Sequence, residues 1–274
     1  MKGKDMTGVL FVDPYNDFLS EGGKLWPLLK DVATQVGLHD NLRRIVGAAR
    51  EAGAPYFVAP HHRSEPHDFA GWRQPTPYQL ATAGQQAFAK GSWGGEWHPD
   101  FAPREGDVVA KEHWGASGFA NTDLDQQLRQ GGVDRVVVVG LIANTCIEGT
   151  ARYAMELGYH VTLVKDATAA FTREAIRAAH EINGPAYAHA IVTTREAIPR
   201  WTGSKRWSRK QWGVATSPRW TLAVRRGRSS PCSRARSCSR KRGTTRSSWR
   251  GWGSKPFGCW ERAIARREAP FFSQ

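Results

Sequence analysis

Three residues of reactive type follow three short apolar runs. Asp13 comes directly after GVLFV, Lys111 directly after DVVA, and Cys146 a few residues beyond RVVVVG. A thiol, a carboxylate and an ammonium together suit acyl-transfer chemistry. The thiolate is the nucleophile, and a thiol with a pKa near 8.5 is mostly protonated at neutral pH unless a base, a cation or a helix N-terminus favours ionisation. Asp13 is placed to take the thiol proton and return it to a leaving amine. Lys111 is placed to hold Asp13 oriented and to offset negative charge that develops on the nucleophile. The segment GLIANTC ends on a helix start, so its backbone N–H groups converge where an oxyanion would form.

The elements that must carry these residues are legible as alternating runs. Apolar runs at 8–12, 56–59, 107–110, 135–139, 160–164 and 190–193 are mostly apolar at every position, as strands buried on both faces require. Leu38, Leu42, Ile45, Val46 and Ala49 recur at helical spacing and Gly53 stops the pattern. Thr122 and Asp125 read as a capping box for a helix closed by Gly131. Further helices are expected from about Asn144 to Leu157 and from near Thr172 to Asn183-Gly184-Pro185. Strands alternating with helices predict right-handed crossovers and a three-layer α/β/α fold with a parallel sheet. Ligands in such sheets bind beyond the carboxyl ends of the strands, which is where all three reactive residues fall. The Pro-, Gly- and Trp-rich segment 61–106 has no clear periodicity and is expected to shape a pocket.

Charge divides the chain of 274 residues. Residues 1–200 carry 20 basic and 23 acidic side chains, whereas 201–274 carry 19 and two, so the net charge of +14 belongs to the tail. The tail has seven Leu, Ile, Val or Phe among 74 residues, too few to offset the entropy of ordering it, together with 12 Ser and seven Trp. The expected organisation is therefore a catalytic domain over 1–200 and a basic Arg/Ser/Trp-rich tail over 201–274, disordered or the product of an out-of-frame reading. Cys146 is the one cysteine of the first 200 residues, which excludes a disulfide framework there and fits a reducing, cytoplasmic setting. No apolar run reaches the roughly 18 residues of a membrane span, and the N-terminus has no signal-peptide pattern.

Asp13 in FVDPYNDF, Lys111 in VVAKEHW and Cys146 in VVVVGLIANTCIEGTARYAMELGYHVTLVKDATAAF resemble the isochorismatase-like cysteine hydrolase superfamily, which includes nicotinamidases and N-carbamoylsarcosine amidohydrolases. The resemblance spans residues 5–198, about 70% of the chain. It implies a six-stranded parallel sheet in order 3-2-1-4-5-6 and a catalytic triad of Asp13, Lys111 and Cys146. It further implies a cis peptide between Leu141 and Ile142, with the N–H groups of Ile142 and Cys146 forming the oxyanion hole. A homodimer or homotetramer is also implied.

Two departures stand out. The Ser-Ala-Phe that follows the family's lysine is represented by Ser117-Gly118-Phe119, about two residues later than usual. The aspartate of the nicotinamidase metal site is replaced within Ala59-Pro60-His61, so His61, His62, His67 and Asp68 lack a carboxylate at the required spacing, and no metal or cofactor is expected. Phe18, His62, Trp93, Trp114 and Phe119 are the expected substrate-binding residues. The chemistry expected is cysteine-dependent hydrolysis of a carboxamide, ureido or similar C–N bond of a small molecule through a thioester. Lactam hydrolysis and isochorismatase-type vinyl-ether hydrolysis are the alternatives. Nucleic-acid binding through the tail is a reading of another class and is not expected to be the function, because its basic and aromatic residues form no repeat.

Overall fold

The structure, a computed structural model, describes residues 6–199. The expected basic tail, 201–274, lies outside the described residues. Six parallel strands, β1 (Met6–Val12), β2 (Tyr56–Ala59), β3 (Val108–Val109), β4 (Val133–Leu141), β5 (His160–Ala169) and β6 (Ala190–Val192), form one sheet in the order β3-β2-β1-β4-β5-β6. Each apolar run of the sequence is a strand, and the order is the one the resemblance implies. The helices are α1 (Asn16–Leu19), α2 (Trp26–Val36), α3 (Leu38–Glu51), α4 (Pro77–Gly84), α5 (Leu124–Gln130), α6 (Glu148–Glu156), α7 (Arg173–Arg177) and α8 (Thr194–Ala197). None of the described helices is long and apolar enough to cross a membrane.

The central strand β1 explains the layering. Val9 and Phe11 point to one face and pack with Leu29 of α2 and Leu42 and Ile45 of α3; Leu10 and Val12 point to the other and pack with Leu124 and Leu128 of α5 and Ala151 of α6. All four β1 side chains are fully buried. An alternating pair of buried faces is what makes the run apolar at consecutive positions. Each such side chain contributes roughly 1.5–3 kcal/mol by leaving water. The edge strand β3 is only two residues long, and Val109 there is exposed.

Helix boundaries differ from the sequence reading in instructive ways. Thr122 does not form a capping box with Asp125: it accepts from the backbone N–H of Leu124 and donates to the carbonyl of Gly118, while Asp125 pairs with Arg129 one turn on. Gly131 caps α5 as expected, and the left-handed residue is the next glycine, Gly132, with φ +68°. Genuine capping boxes occur at Thr76/Gln79, which starts α4, and at Thr193/Glu196, which starts α8. The segment expected as one helix from Asn144 begins instead with a widened π turn, Ala143–Ile147, and becomes α-helical at Glu148. The helix from Thr172 likewise passes into a π turn at Ala178–Asn183.

Two glycines fix the approach of the elements around the strand ends. A Cβ on Gly140, at φ +111°, would lie 2.1 Å from the carbonyl oxygen of Val12, so only glycine lets β4 pass this close to the end of β1. A Cβ on Gly149 would lie 2.3 Å from the carbonyl of Ala116, so the start of α6 can press against the loop 113–118. Thr150, fully buried, accepts the backbone N–H of Gly118 at 2.8 Å and fastens that loop to α6.

Candidate active site

Asp13 ends β1 with a left-handed φ of +57°, a conformation that aspartate tolerates better than most residues. Its backbone N–H bonds to the carbonyl of Ala59, which ties it to the end of β2. Cys146 sits in the π turn after β4, beyond the cis peptide Leu141–Ile142. The two residues are brought together because β1 and β4 are adjacent and parallel, so their carboxyl ends coincide. Asp13 is fully buried and Cys146 is 5% exposed.

The third member of the cluster is His113, not Lys111. Lys111 is exposed, and its backbone N–H donates to Asp123 at 2.7 Å. His113 Nε2 lies 3.1 Å from Asp13 Oδ1, with both side chains fully buried. Beyond β3 the chain runs on beside the end of β2: His113 N–H donates to the carbonyl of Pro60, and His62 N–H donates to the carbonyl of His113. This extension carries residue 113 inward to the end of β1.

The hydrogen bonds of His113 define its charge. Nδ1 is 2.7 Å from the carbonyl oxygen of Gly115, so it carries a proton, and Nε2 faces a carboxylate oxygen. Two acceptors facing the two ring nitrogens call for two N–H groups, that is, an imidazolium. Burial works against that charge, but the charge and hydrogen bond of Asp13 and the Gly115 carbonyl outweigh it and raise the His113 pKa. The geometry thus favours the charged form of His113 beside Asp13.

Burial, followed by the charge and hydrogen bonding of Asp13, pushes the Cys146 thiol well up. Burial and the neighbouring carboxylate thus work against the thiolate that a cation and a helix start were expected to favour. Two donors address it: the backbone N–H of Ile142 and, at 3.8 Å, the Thr145 hydroxyl. The Ile142 N–H expected in the oxyanion hole thus points at the reacting atom.

A cavity of about 230 Å³ opens onto Cys146, lined among others by His61, His62, Asp68, Tyr78, Gln79 and Thr145. Of the five expected substrate-binding residues, His62 alone lines it. Phe18 and Phe119 are core side chains, the first against Phe88 and the second between Tyr153 and Tyr159. Trp93 is half exposed away from the cavity, and Trp114 stacks on the His62 ring at 3.5 Å, supporting it from behind. Aromatic type had no way to tell pocket wall from core.

His62 is held between Asp68 at 2.9 Å and Glu112 at 3.3 Å. Burial disfavours its charged form, but the two carboxylates prevail and raise its pKa; Glu112, bonded also to Arg63, is lowered to about 2. His61 is the opposite case: burial lowers its pKa and favours the neutral ring, whose Nδ1 lies 2.9 Å from the His62 carbonyl. The His61, His62, His67 and Asp68 segment thus builds an ion-pair network and a neutral wall. Tyr78 at the start of α4, which the sequence reading passed over, is half exposed as a residue but lines the cavity, and its pKa is raised by desolvation of its hydroxyl and then by the proximity of Cys146 and Asp13. Its signal was the Thr76-Pro77 helix start inside an otherwise irregular stretch.

The irregular stretch is anchored by the residues just after Asp13. Asp17, 1% exposed, accepts the N–H of Phe88 at 2.7 Å and of Lys24 at 2.9 Å. Asn16 donates to the carbonyl of Trp93, and Tyr15 donates to the carbonyl of His61 while stacking on Trp97 and Phe88.

The chain matches the isochorismatase domain family over residues 7–197. It is 28% identical over 209 residues to the ureidoacrylate amidohydrolase RutB of Variovorax paradoxus (strain S110), covering 72% of this chain and 78% of that protein. Among solved structures it is similar to a cysteine hydrolase from Pseudomonas syringae pv. phaseolicola 1448A, with TM-score 0.61 and 25% identity over 73% of this chain and 93% of that one. It is also similar to the N-carbamoylsarcosine amidase of Thermoplasma acidophilum, with TM-score 0.50 and 27% identity over 69% of this chain and 96% of that one.

Proposed function

The chain belongs to the isochorismatase family, and from that premise we propose that it is a cysteine amidohydrolase that cleaves a carboxamide or ureido C–N bond of a small molecule, with Cys146, Asp13 and His113 as its catalytic set. The observation that carries this reading is the buried Asp13–His113–Cys146 cluster at the carboxyl ends of β1 and β4, opening into the cavity through the sulfur. Two relatives whose names state hydrolysis of ureido or carbamoyl compounds support the choice of bond.

The steps follow from the placement. As the sulfur of Cys146 forms a bond to the substrate carbonyl carbon, its proton passes to Asp13. The carbonyl electron pair moves onto oxygen, where the N–H groups of Ile142 and Cys146 are proposed to receive it. Collapse of the adduct breaks the C–N bond, the leaving nitrogen takes the proton from Asp13, and a thioester remains. Water then gives a proton to Asp13 as its oxygen attacks the thioester, and the sulfur leaves with that proton. His113 stays cationic throughout and compensates the charge that moves between sulfur and carboxylate. Its second hydrogen bond, to Gly115, holds the ring still. Because the thiol starts protonated, nucleophile and base must act in one motion, which explains their direct contact.

The test is turnover by the full chain and by Cys146→Ala, read as ammonia release from matched carboxamides and ureido compounds and as ring opening for lactams. Turnover by the first alone, with an acyl adduct on Cys146 that hydroxylamine cleaves, supports the reading. Equal turnover by both would overturn it. A homo-oligomeric state belongs to the same proposal and is read by light scattering.

A further inference from the structure

Asp13, His113 and Cys146 direct a carboxylate oxygen, an imidazole nitrogen and a sulfur toward one another, all within 4.8 Å, and all three residues are buried. An ammonium in the third place would have no lone pair to offer a metal; an imidazole has one once Nε2 gives up its proton. We propose that this trio binds Zn²⁺ and that zinc is a reversible inhibitor of the enzyme.

Four features point to the metal. The donor set, one sulfur, one nitrogen and one oxygen, is the mixed set that zinc takes and that Mg²⁺ and Ca²⁺ do not. The Asp13–His113 separation of 3.1 Å is already close to the roughly 3.3 Å between neighbouring N and O ligands of a tetrahedral zinc, and the sulfur, within 4.8 Å of both, need move by little more than about 1 Å. His113 Nδ1–H donates to the Gly115 carbonyl, the outer contact that orients metal-bound imidazoles with Nε2 toward the ion. Asp13 Oδ2 is buried with no N–H or O–H partner, so a coordination position on the carboxylate is open. Cys146 lines the cavity, so the fourth position of the ion would face it and hold water.

Binding replaces protons. The thiol S–H and the Nε2–H of His113 leave to solvent, sulfur, nitrogen and carboxylate oxygen each donate an electron pair to zinc, and no electrons are transferred. Affinity therefore tightens by up to about 100-fold per pH unit while both groups are still protonated in the free protein. Inhibition follows because the sulfur lone pair and the carboxylate are both engaged; that half of the proposal rests on the thiol mechanism above, whereas binding does not.

Zinc titration against a chromophoric chelator, in the full chain with Cys232→Ser, Cys238→Ser and Cys259→Ser to remove the other thiols, is the test. One tight zinc per chain is expected, with alkylation of Cys146 by iodoacetamide and ammonia release both blocked and both restored by chelator. Cys146→Ser and His113→Gln should each weaken binding by about 100-fold or more, and Co²⁺ should give a thiolate charge-transfer band that Cys146→Ser abolishes. Protection from alkylation needs no change at the site, so it stands even if a variant misfolds. Absence of a tight zinc, or binding unchanged in Cys146→Ser, would overturn the site and leave the thiol mechanism standing. A full zinc complement with turnover intact would overturn both inhibition and that mechanism.

Discussion

Replacing His113 by glutamine isolates the value of the buried cation. Asp13 is fully buried and His113 is 1% exposed, so the imidazolium is the charge that compensates the carboxylate in a place water does not reach. Removing one member of a buried ion pair costs about 3–5 kcal/mol, because the other charge is left uncompensated. The glutamine amide retains a neutral hydrogen bond to Asp13 and recovers about 1 kcal/mol of this, leaving a net loss of about 2–4 kcal/mol. For a domain of this size each kcal/mol shifts Tm by about 2–4 °C, so His113→Gln should melt about 5–15 °C below the parent at pH 6. His113→Lys restores the charge and should recover most of that loss. The pH dependence follows from the raised His113 pKa. The stabilisation is complete below the ordinary histidine value of 6.5 and is lost as pH rises through the raised folded value. The gap between parent and His113→Gln should therefore narrow on the alkaline side, whereas the gap between His113→Lys and His113→Gln should persist. Thermal and urea denaturation of the three proteins from pH 6 to 9 provides the measurement. A glutamine variant as stable as the parent, or a lysine variant no better than glutamine, would refute the imidazolium.

Glu112 is lowered from its ordinary 4.5 to about 2, so its contribution is complete above about pH 4.5 and is lost as pH falls toward 2; the stability difference between the parent and Glu112→Gln should shrink across that window in urea titrations. The His62 contribution runs the other way, complete below pH 6.5 and declining as pH rises through its raised value, which His62→Gln should remove. Gly140→Ala places a methyl 2.1 Å from the Val12 carbonyl at a φ of +111°, and should cost about 3 kcal/mol or more with turnover impaired, because Asp13 follows Val12 directly. Asp17→Ala strands the buried N–H of Phe88, at roughly 1–3 kcal/mol, and frees the more exposed N–H of Lys24 to water; limited proteolysis should then cut within 61–106 faster than in the parent.

The sequence by itself determined the sheet. Runs such as GVLFV and RVVVV are apolar at consecutive positions because both faces of β1 and β4 are covered, and a pattern with that cause can be read without coordinates. It also determined that Asp13 and Cys146 share a sheet edge, since parallel strands put their carboxyl ends together. Tertiary structure alone decided the rest. Lys111 and His113 are both basic residues near the end of one short strand, and only the extra hydrogen bonds beside β2, which no periodicity encodes, turn the second inward. The electrostatics were likewise hidden: burial and Asp13 disfavour the thiolate, while the acceptors of Asp13 and Gly115, distant or irregular in sequence, favour the imidazolium. Phe18 and Phe119 have the same chemistry as a pocket wall yet fill the core, for a ring's composition does not say which side of it is solvent. Strand positions are written in local patterning, whereas a site assembled from loops is written in contacts between residues a hundred positions apart.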